Sequence, residues 1–436
     1  MVDPALFSAF FVAALVIGGA LGLHVALIMF GIGLITAAAT LGLPLILNIG
    51  NLAWETQNDF ILVSVPLFLL MGEVLLRSGI SERMYSAIAA WVDWLPGRLI
   101  HANIAASALF AATSGSSIAT AATVGTVALP TFRQRGYDER LVLGSIAAGG
   151  TLGILIPPSI NLIVYGAMTD TSVGRLFAAG VVPGLVLTLA FMALIAVQCL
   201  RRPEAAGHET ETLALARRIM LLLHLLPPAA IFALIMGSIY FGFATPTEAA
   251  ALGVLFALAI AAAFGKLNLA MLHAAFRATV RTTGMVLLIV VAAFFLNFVL
   301  SVLGVPQAIA RWIDGMNLTA MQTIWVLILL YLLLGCMLEA LSLIVTTIPI
   351  VFPLVIGLGF DPVWLGIFLT LMAELALITP PVGMNLYVVQ GIRGPGRGIG
   401  DVMVGVMPFV LILGLVTILV VYVPELALWL PEQLFK

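Results

Sequence analysis

The residues best placed to do chemistry in this 436-residue chain are small hydroxyl and amide side chains set beside glycines and proline pairs inside apolar runs. One such stretch runs from Gly149 through Gly153 and Pro157-Pro158 to Ser159 and Asn161, and a second from Ala373 through Glu374, Thr379 and Pro380-Pro381 to Gly383 and Asn385. Proline has no N–H and its ring disfavours helix in the preceding residue, so an apolar helix entering either pair must break there. At bilayer depth a freed carbonyl needs a partner, and broken backbone is tolerated only where it is buried in protein or lines a cavity. Pro158 and Pro381 stand 223 residues apart, about half the chain. Corresponding breaks in the two halves of an apolar chain point to the binding site of a secondary transporter. A third pair, Pro227-Pro228, has no neighbouring Gly or Asn and no mate, and predicts a kink.

Two more constellations lie in the middle of long apolar runs: Ser114-Gly115-Ser116-Ser117, followed by Thr120 and Thr123, and Glu339-Ala340-Leu341-Ser342, followed by Thr346 and Thr347. Small residues of this kind can simply let helices pack closely. Alternatively, they start half-helices whose positive dipole ends face an anion while unwound carbonyls and hydroxyls hold a cation. The candidate substrate contacts are Ser116, Thr120, Asn161, Ser342, Thr346 and Asn385, the two asparagines serving equally well to stabilise the breaks. Hydroxyl and carbonyl oxygens are hard ligands suited to an alkali cation. No Lys or Arg occurs between Arg140 and Arg175 or between Arg311 and Arg393. An anionic substrate would therefore have to be met by helix dipoles, Ser/Thr/Asn donors and co-bound cations. Glu339 and Glu374 are functional candidates because they are acids at depth, although Glu339 could equally cap a half-helix. His24, His101, His208, His224 and His273 share no metal or triad spacing, and no phosphate loop is present, which argues against an ATP-driven pump or an intramembrane enzyme.

These residues need elements to hold them. The chain is 63% apolar and 9% charged, with a mean hydropathy of +1.21, whereas soluble proteins carry about 25% charged residues. It reads as an all-α polytopic membrane protein. Apolar runs long enough to cross about 30 Å of hydrocarbon lie near 5–22 (a retained span, with no positive n-region before it), 24–46, 60–77 and 176–200, then near 219–239, 243–264, 283–304 and 403–423. Between them come two amphipathic pieces (Ser81 to Trp94, Pro306 to Asp314), two interrupted runs (99–135, 320–356) and two Pro-Pro helices (138–168, 361–391). The halves, 1–200 and 219–436, match element for element around a polar linker, 201–218. Trp91-Val92-Asp93 is echoed by Trp312-Ile313-Asp314, and Ser117 by Ser342.

Positive charge decides the topology. If both interrupted runs are re-entrant hairpins, fifteen of the eighteen Lys and Arg fall on one side, and only Arg175, Arg311 and Lys436 fall on the other. With hairpins, each half has five spans, an odd number, so the second half is inverted relative to the first. The linker is then cytoplasmic and both termini are periplasmic. Cys199 and Cys336 lie in apolar runs of different halves and read as small hydrophobes.

The chain resembles the large membrane subunit of TRAP (tripartite ATP-independent periplasmic) transporters. The motifs that carry the likeness are Ser114-Gly115-Ser116-Ser117 with Thr120, Thr123 and Gly125, Gly153 to Ser159 with its proline pair, and Thr379-Pro380-Pro381-Val382-Gly383-Met384-Asn385. The resemblance covers essentially the whole chain. It implies a bacterial or archaeal inner-membrane protein of the ion-transporter type that takes up a small organic anion, mostly a carboxylate, on a sodium gradient. It implies no cofactor, a soluble periplasmic binding protein as partner, and a small four-helix membrane subunit supplied as a separate chain. By the same likeness one sodium site would use Ser114 and Ser117 with backbone at Gly153, Ile156 and Pro158. A second would use backbone at Gly335 and Ala376 with Thr379 and Val382, although Ala376 stands where a glycine is expected. An elevator motion would carry hairpins and broken helices as one block. The runner-up is a standalone divalent-anion/sodium symporter, which shares hairpins and inverted repeats. Nothing points to nucleic acid, and membrane lipid is the obvious surround.

Overall fold

A computed structural model describes residues 10–11, 13–15, 17–19, 21–40, 49–207, 214–316, 318–394 and 396–435, with backbone alone at 310, 313 and 314. The first expected span and the end of the second lie partly outside these residues, as do the middle of the linker with His208, the side chains of Ile313 and Asp314, and Lys436. Among the described residues the chain forms helices and no strands.

In order they are α1 (Val25–Thr40), α2 (Ile49–Gln57), α3 (Ser64–Arg77), α4 (Ile80–Val92), α5 (Leu99–Ser114), α6 (Ser117–Arg135), α7 (Glu139–Thr151), α8 (Ile160–Thr169), α9 (Val173–Arg201) and α10 (Leu215–Leu222). Then follow α11 (Leu226–Tyr240), α12 (Pro246–Ala263), α13 (Leu269–Val302), α14 (Val305–Asp314), α15 (Ala320–Gly335), α16 (Ala340–Gly357), α17 (Pro362–Ile378), α18 (Met384–Arg393), α19 (Gly400–Tyr422) and α20 (Glu425–Leu434).

Local chemistry sets the boundaries. Asp138 and Asp361 cap α7 and α17 by accepting from Leu141 N at 2.9 Å and from Val363 N at 2.7 Å, each satisfying a donor that the first helical turn leaves unpaired. Gly79, at φ 77°, lets the chain turn by 69° from the apolar α3 into the amphipathic α4. Pro227-Pro228 does more than kink a helix: the pair occupies the first turn of α11, after a single 3-10 turn at Leu223–Leu225.

Three features were not expected. Helix α2 and the terminal α20 carry no long apolar run, and α20 is held by packing on α9. The span expected at 283–304 is the second half of α13, which starts at an Asn268 cap and runs for 34 residues. At 1.5 Å per residue that is about 51 Å, longer than a bilayer is thick, so the turns around Arg277 and Arg281 extend beyond the hydrocarbon. Among the described residues six helical segments are long and apolar enough to cross a membrane, or seven if the bent α3–α4 pair is one span.

Packing sorts the helices into two groups. Helices α1, α3, α11 and α12 gather around α13 and one another, whereas α5 to α9 and α15 to α20 form a second body. Within that body the halves interlock. Helix α7 packs on α5 and α6, just before it in the chain, while α8, beyond the break, packs on α16. Likewise α17 packs on α15 and α16, and α18, beyond its break, packs on α6. Beyond its break each helix thus crosses to the other half, and α7 already packs on α19 of that half before its own break.

The tightest seam is α7 on α19. A Cβ on Gly144 would lie 2.1 Å from the Gly405 carbonyl oxygen, and one on Gly405 2.0 Å from that of Arg140. Gly144→Ala should therefore force the two backbones apart and cost about 1–3 kcal/mol, read as a fall in thermal midpoint in detergent. Gly237→Ala, where a Cβ meets nothing within 4 Å, should leave the midpoint unchanged. Equal midpoints for the two variants would contradict the described seam.

Candidate functional site

The first tip is built from the end of α5 and the start of α6, two helices that pack against each other. Gly115, at φ 61°, supplies the left-handed turn that reverses the chain. Ser116 is extended and caps α6, its Oγ accepting from Ala119 N at 3.4 Å. The Ser114 and Thr120 hydroxyls lie 3.0 Å apart, and Thr120 Oγ1 also donates to Ser116 O at 2.8 Å.

This tip sits on the first break. Helix α7 ends at Thr151, a 3-10 turn covers Leu152–Ile154, and α8 restarts at a Ser159 cap. The Pro157-Pro158 and Pro380-Pro381 bonds are both cis. A Cβ on Gly153 would come within 2.7 Å of the Ser116 carbonyl, and one on Gly115 within 2.8 Å of the Pro158 oxygen, so the two backbones touch. Ser117 Oγ donates to Thr151 O at 3.2 Å. Ser114, Ser117, Gly153 and Pro158 therefore converge, and Ile156, half-buried, lies on the same loop. They gather two hydroxyls and a run of non-helical carbonyls in one place.

At the second tip Glu339 takes the place of Ser116. Its Oε1 accepts from Ser342 N at 2.9 Å and Ser342 Oγ at 2.8 Å, so this acid caps α16. Gly335 meets the second broken helix: a Cβ there would sit 2.4 Å from the Ala376 methyl. Thr379 N and Oγ1 both donate to Leu375 O, at 3.0 and 2.6 Å, and Gly383 N donates to Thr379 O at 3.2 Å. Thr379 is half-buried and Val382 is 42% exposed. The structure thus brings Gly335 onto Ala376 and keeps Thr379 and Val382 on the adjoining turn.

Between the tips lies a cavity of about 420 Å³. Ser114, Ser116, Ser117 and Asn161 line it from the first half, Glu339 and Leu377 from the second, and Glu73 of α3 and Thr282 of α13 close it from the other packing group. Asn161 is 5% exposed and its amide nitrogen has no hydrogen-bond partner among the described residues. The other candidate substrate residues lie outside this lining. Thr120 is turned onto its own helix, Ser342 onto Glu339, and Thr346 Oγ1 onto Met29 Sδ at 3.3 Å. Asn385 is fully buried and donates to Ala147 O at 3.1 Å, fastening α18 to α7 across the halves. That is the stabilising alternative for this residue. Glu374, also fully buried, has no hydrogen-bond partner among the described residues and does not line the cavity.

Reading the motifs missed Glu73 and Thr282. The signal available for Glu73 was an acid inside an apolar run with Arg77 one turn on, and the two pair at 2.9 Å. No Lys or Arg lines the cavity.

The model of the family described as "Tripartite ATP-independent periplasmic transporter, DctM component" matches residues 6–426. The C4-dicarboxylate TRAP transporter large permease protein DctM of Pseudomonas aeruginosa is 36% identical over 385 residues, 87% of this chain and 88% of that protein. The sialic acid TRAP transporter large permease protein SiaM of Vibrio cholerae is 33% identical over 387 residues, 86% of this chain and 87% of its own. Among solved structures, that of the Alcanivorax borkumensis YdaH transporter superposes with a TM-score of 0.63 over 99% of both chains at 16% identity, a likeness of fold.

The Gly335–Ala376 contact yields a paired test. Gly335→Ala puts two methyl groups in one space and should lower the thermal midpoint, by about 1–3 kcal/mol of overpacking. Gly335→Ala combined with Ala376→Gly exchanges the methyl and should recover most of that loss. A double variant as unstable as the single one would show that α15 and α17 do not meet here.

Proposed function

This chain belongs to the tripartite ATP-independent periplasmic transporter family as its DctM component, a membrane permease rather than an enzyme, and from that premise we propose that it imports a small organic anion on a sodium gradient. The observation that carries the proposal is the charge of the cavity. Two acids and no base line the space in which the anion would sit: Glu73, which is paired with Arg77, and Glu339, which has no ion-pair partner among the described residues and leaves one net negative charge. Such a site repels a carboxylate unless cations enter with it. The clustered oxygens at Ser114, Ser117, Gly153, Ile156 and Pro158, and at Gly335, Ala376, Thr379 and Val382, are of the chemical kind that holds sodium. Ser117 already donates its hydroxyl proton to Thr151 O at the end of α7, and Thr379 to Leu375 O of its own helix, which leaves oxygen lone pairs for a cation. Ser116 and Asn161 supply donors for the anion, and the start of α6 adds its dipole.

The motion we propose is an elevator. The cavity lies where the interlocked body of tips and broken helices meets α3 and α13, so a body sliding past those two helices would carry the site from one side to the other. A loaded body crosses more readily than a half-loaded one only if sodium and anion bind the crossing state better. The anion would arrive from a periplasmic binding protein, with a small four-helix membrane subunit bracing α3 and α13. Membership of a tripartite family argues against the standalone symporter. The same reading puts the chain in an inner membrane with both termini periplasmic.

Two measurements test this reading. In proteoliposomes with partner proteins supplied, uptake should require inward sodium, and undiminished uptake without it would reject coupling. Ser117→Ala and Thr379→Ala should each raise the sodium needed for half-maximal uptake roughly tenfold, since a bond to a charged group contributes about 1.5–3 kcal/mol and 1.4 kcal/mol is a factor of ten. An unaltered sodium dependence in both would remove these residues from the sites. For topology, single cysteines at positions 98 and 133 should be labelled from the same side, and opposite sides would turn the first hairpin into a crossing.

A further inference from the structure

A second cavity, of about 410 Å³, lies between the start of α7, the end of α9 and the first turns of α19. Its polar wall is made by Arg140, Arg201, Arg202 and Gln198, with one acid, Asp138. The acid is committed, because its Oδ1 accepts from Leu141 N as the α7 cap. Arg140 is held by Nε donating to Asp401 Oδ1 at 3.0 Å, which leaves the far end of its guanidinium. Arg201 and Arg202 have no ion-pair partner among the described residues. Asp401 is shared with Arg393, whose Nη2 donates to its other oxygen at 2.8 Å, so the three lining arginines outnumber the one lining acid and keep the cavity positive.

The cavity is a built feature rather than a chance gap between side chains. The turn after α9 is tied to α7 by Asp138 N donating to Ala205 O at 3.2 Å, and the α7–α19 seam at Gly144 and Gly405 fixes Arg140 against α19. Its other wall is apolar. Val404 and Pro408 of α19 line it, and the same helix face continues, at helical spacing, through the exposed Leu411 and Leu415. Leu185, Leu189 and Leu200 expose a matching stripe along α9, which packs beside α19.

We propose that this cavity is a phosphate site that holds the headgroup of an anionic phospholipid. The arginines meet the phosphodiester and the acyl chains lie along the exposed faces of α9 and α19. Guanidinium suits a phosphate because it offers paired donors in a plane, and basic pockets at the arginine-rich ends of membrane helices take anionic headgroups. The excess of guanidinium over carboxylate suits a phosphodiester, and the apolar stripes give the chains of a lipid somewhere to lie that free phosphate would not use. The assignment is independent of the transport reading and needs only that these helices sit in a bilayer.

The experiment is native mass spectrometry and thermal denaturation of the full chain in detergent. The probes are phosphatidylglycerol, phosphatidylcholine and inorganic phosphate, each added alone. The native chain should retain phosphatidylglycerol in preference to phosphatidylcholine and be stabilised by it. Arg201→Gln combined with Arg202→Gln should weaken that retention roughly tenfold, whereas Arg281→Gln, which removes an exposed arginine of α13, should not. The lipid-free thermal midpoint shows whether each variant is folded. Equal retention by the double variant and Arg281→Gln would overturn the proposal. So would stabilisation by inorganic phosphate with none by phosphatidylglycerol, which would make the source a soluble phosphate.

Discussion

The structure depends on one constraint: inside hydrocarbon a carbonyl freed from its helix must be enclosed by protein. Two proline pairs free several carbonyls at once, and the fold answers by bringing a second chain reversal onto each break. Gly153 meets the Ser116 carbonyl and Gly115 meets the Pro158 oxygen at contact distance. A side chain at either glycine would hold the two backbones apart. The same enclosure concentrates oxygen atoms where no base competes for them, so what repairs the break also gathers the hard oxygens that the proposed cation sites would use.

The reciprocal packing explains why there are two breaks and why they lie where they do. Helix α7 packs on α5 and α6 and also on α19, but α8 must reach α16, and α18 must reach α6. A straight helix cannot change partners at mid-depth, whereas a broken one can. Asn385, fastened to Ala147 across 238 residues of chain, shows the result: the end of the second half is tied to the middle of the first. This interlocking is what two inverted repeats would produce. It also gives the elevator reading a body stiff enough to move as one piece.

Much of this was legible in the sequence because prolines, glycines and tip serines are local instructions. The helix ends at Ser114, Ser117, Arg135, Thr151 and Ile378 fall within a few residues of the expected interruptions. What escaped was set by packing or by register. Asn385 looks in sequence like Asn161, yet it is offset by one from the matching position, and it turns into the body rather than into the cavity. Ser117 and Ser342 were paired by type, whereas the caps that share a role are Ser116 and Glu339, 223 residues apart. That interval also separates Gly136 from Gly359, Asp138 from Asp361 and Gly153 from Ala376. Aligning the halves on the proline pairs exposes all of these correspondences, and it matches Ala376 to the glycine that meets the first tip. Glu73 and Thr282 belong to the facing helices and have no counterpart at the tips, so no spacing within the motifs could bring them in.

The exchange of Ser116 for Glu339 carries the last step. A serine and a glutamate both cap a helix, so the fold tolerates either, but only one adds charge to the cavity. Glu73 on the facing helix is paired with Arg77, so Glu339 is the lining acid without an ion-pair partner among the described residues, in a space proposed for an anion. In water that charge would matter little; in a poorly screened cavity it opposes the binding of an anion. An anion would then be held better with cations beside it, and a body carrying the anion without its cations would bear more net charge than one carrying both. Crossing a low-dielectric layer discriminates against net charge. Glu339, ill-suited to an anion site by itself, thus gives the proposed coupling of sodium to substrate a physical reason.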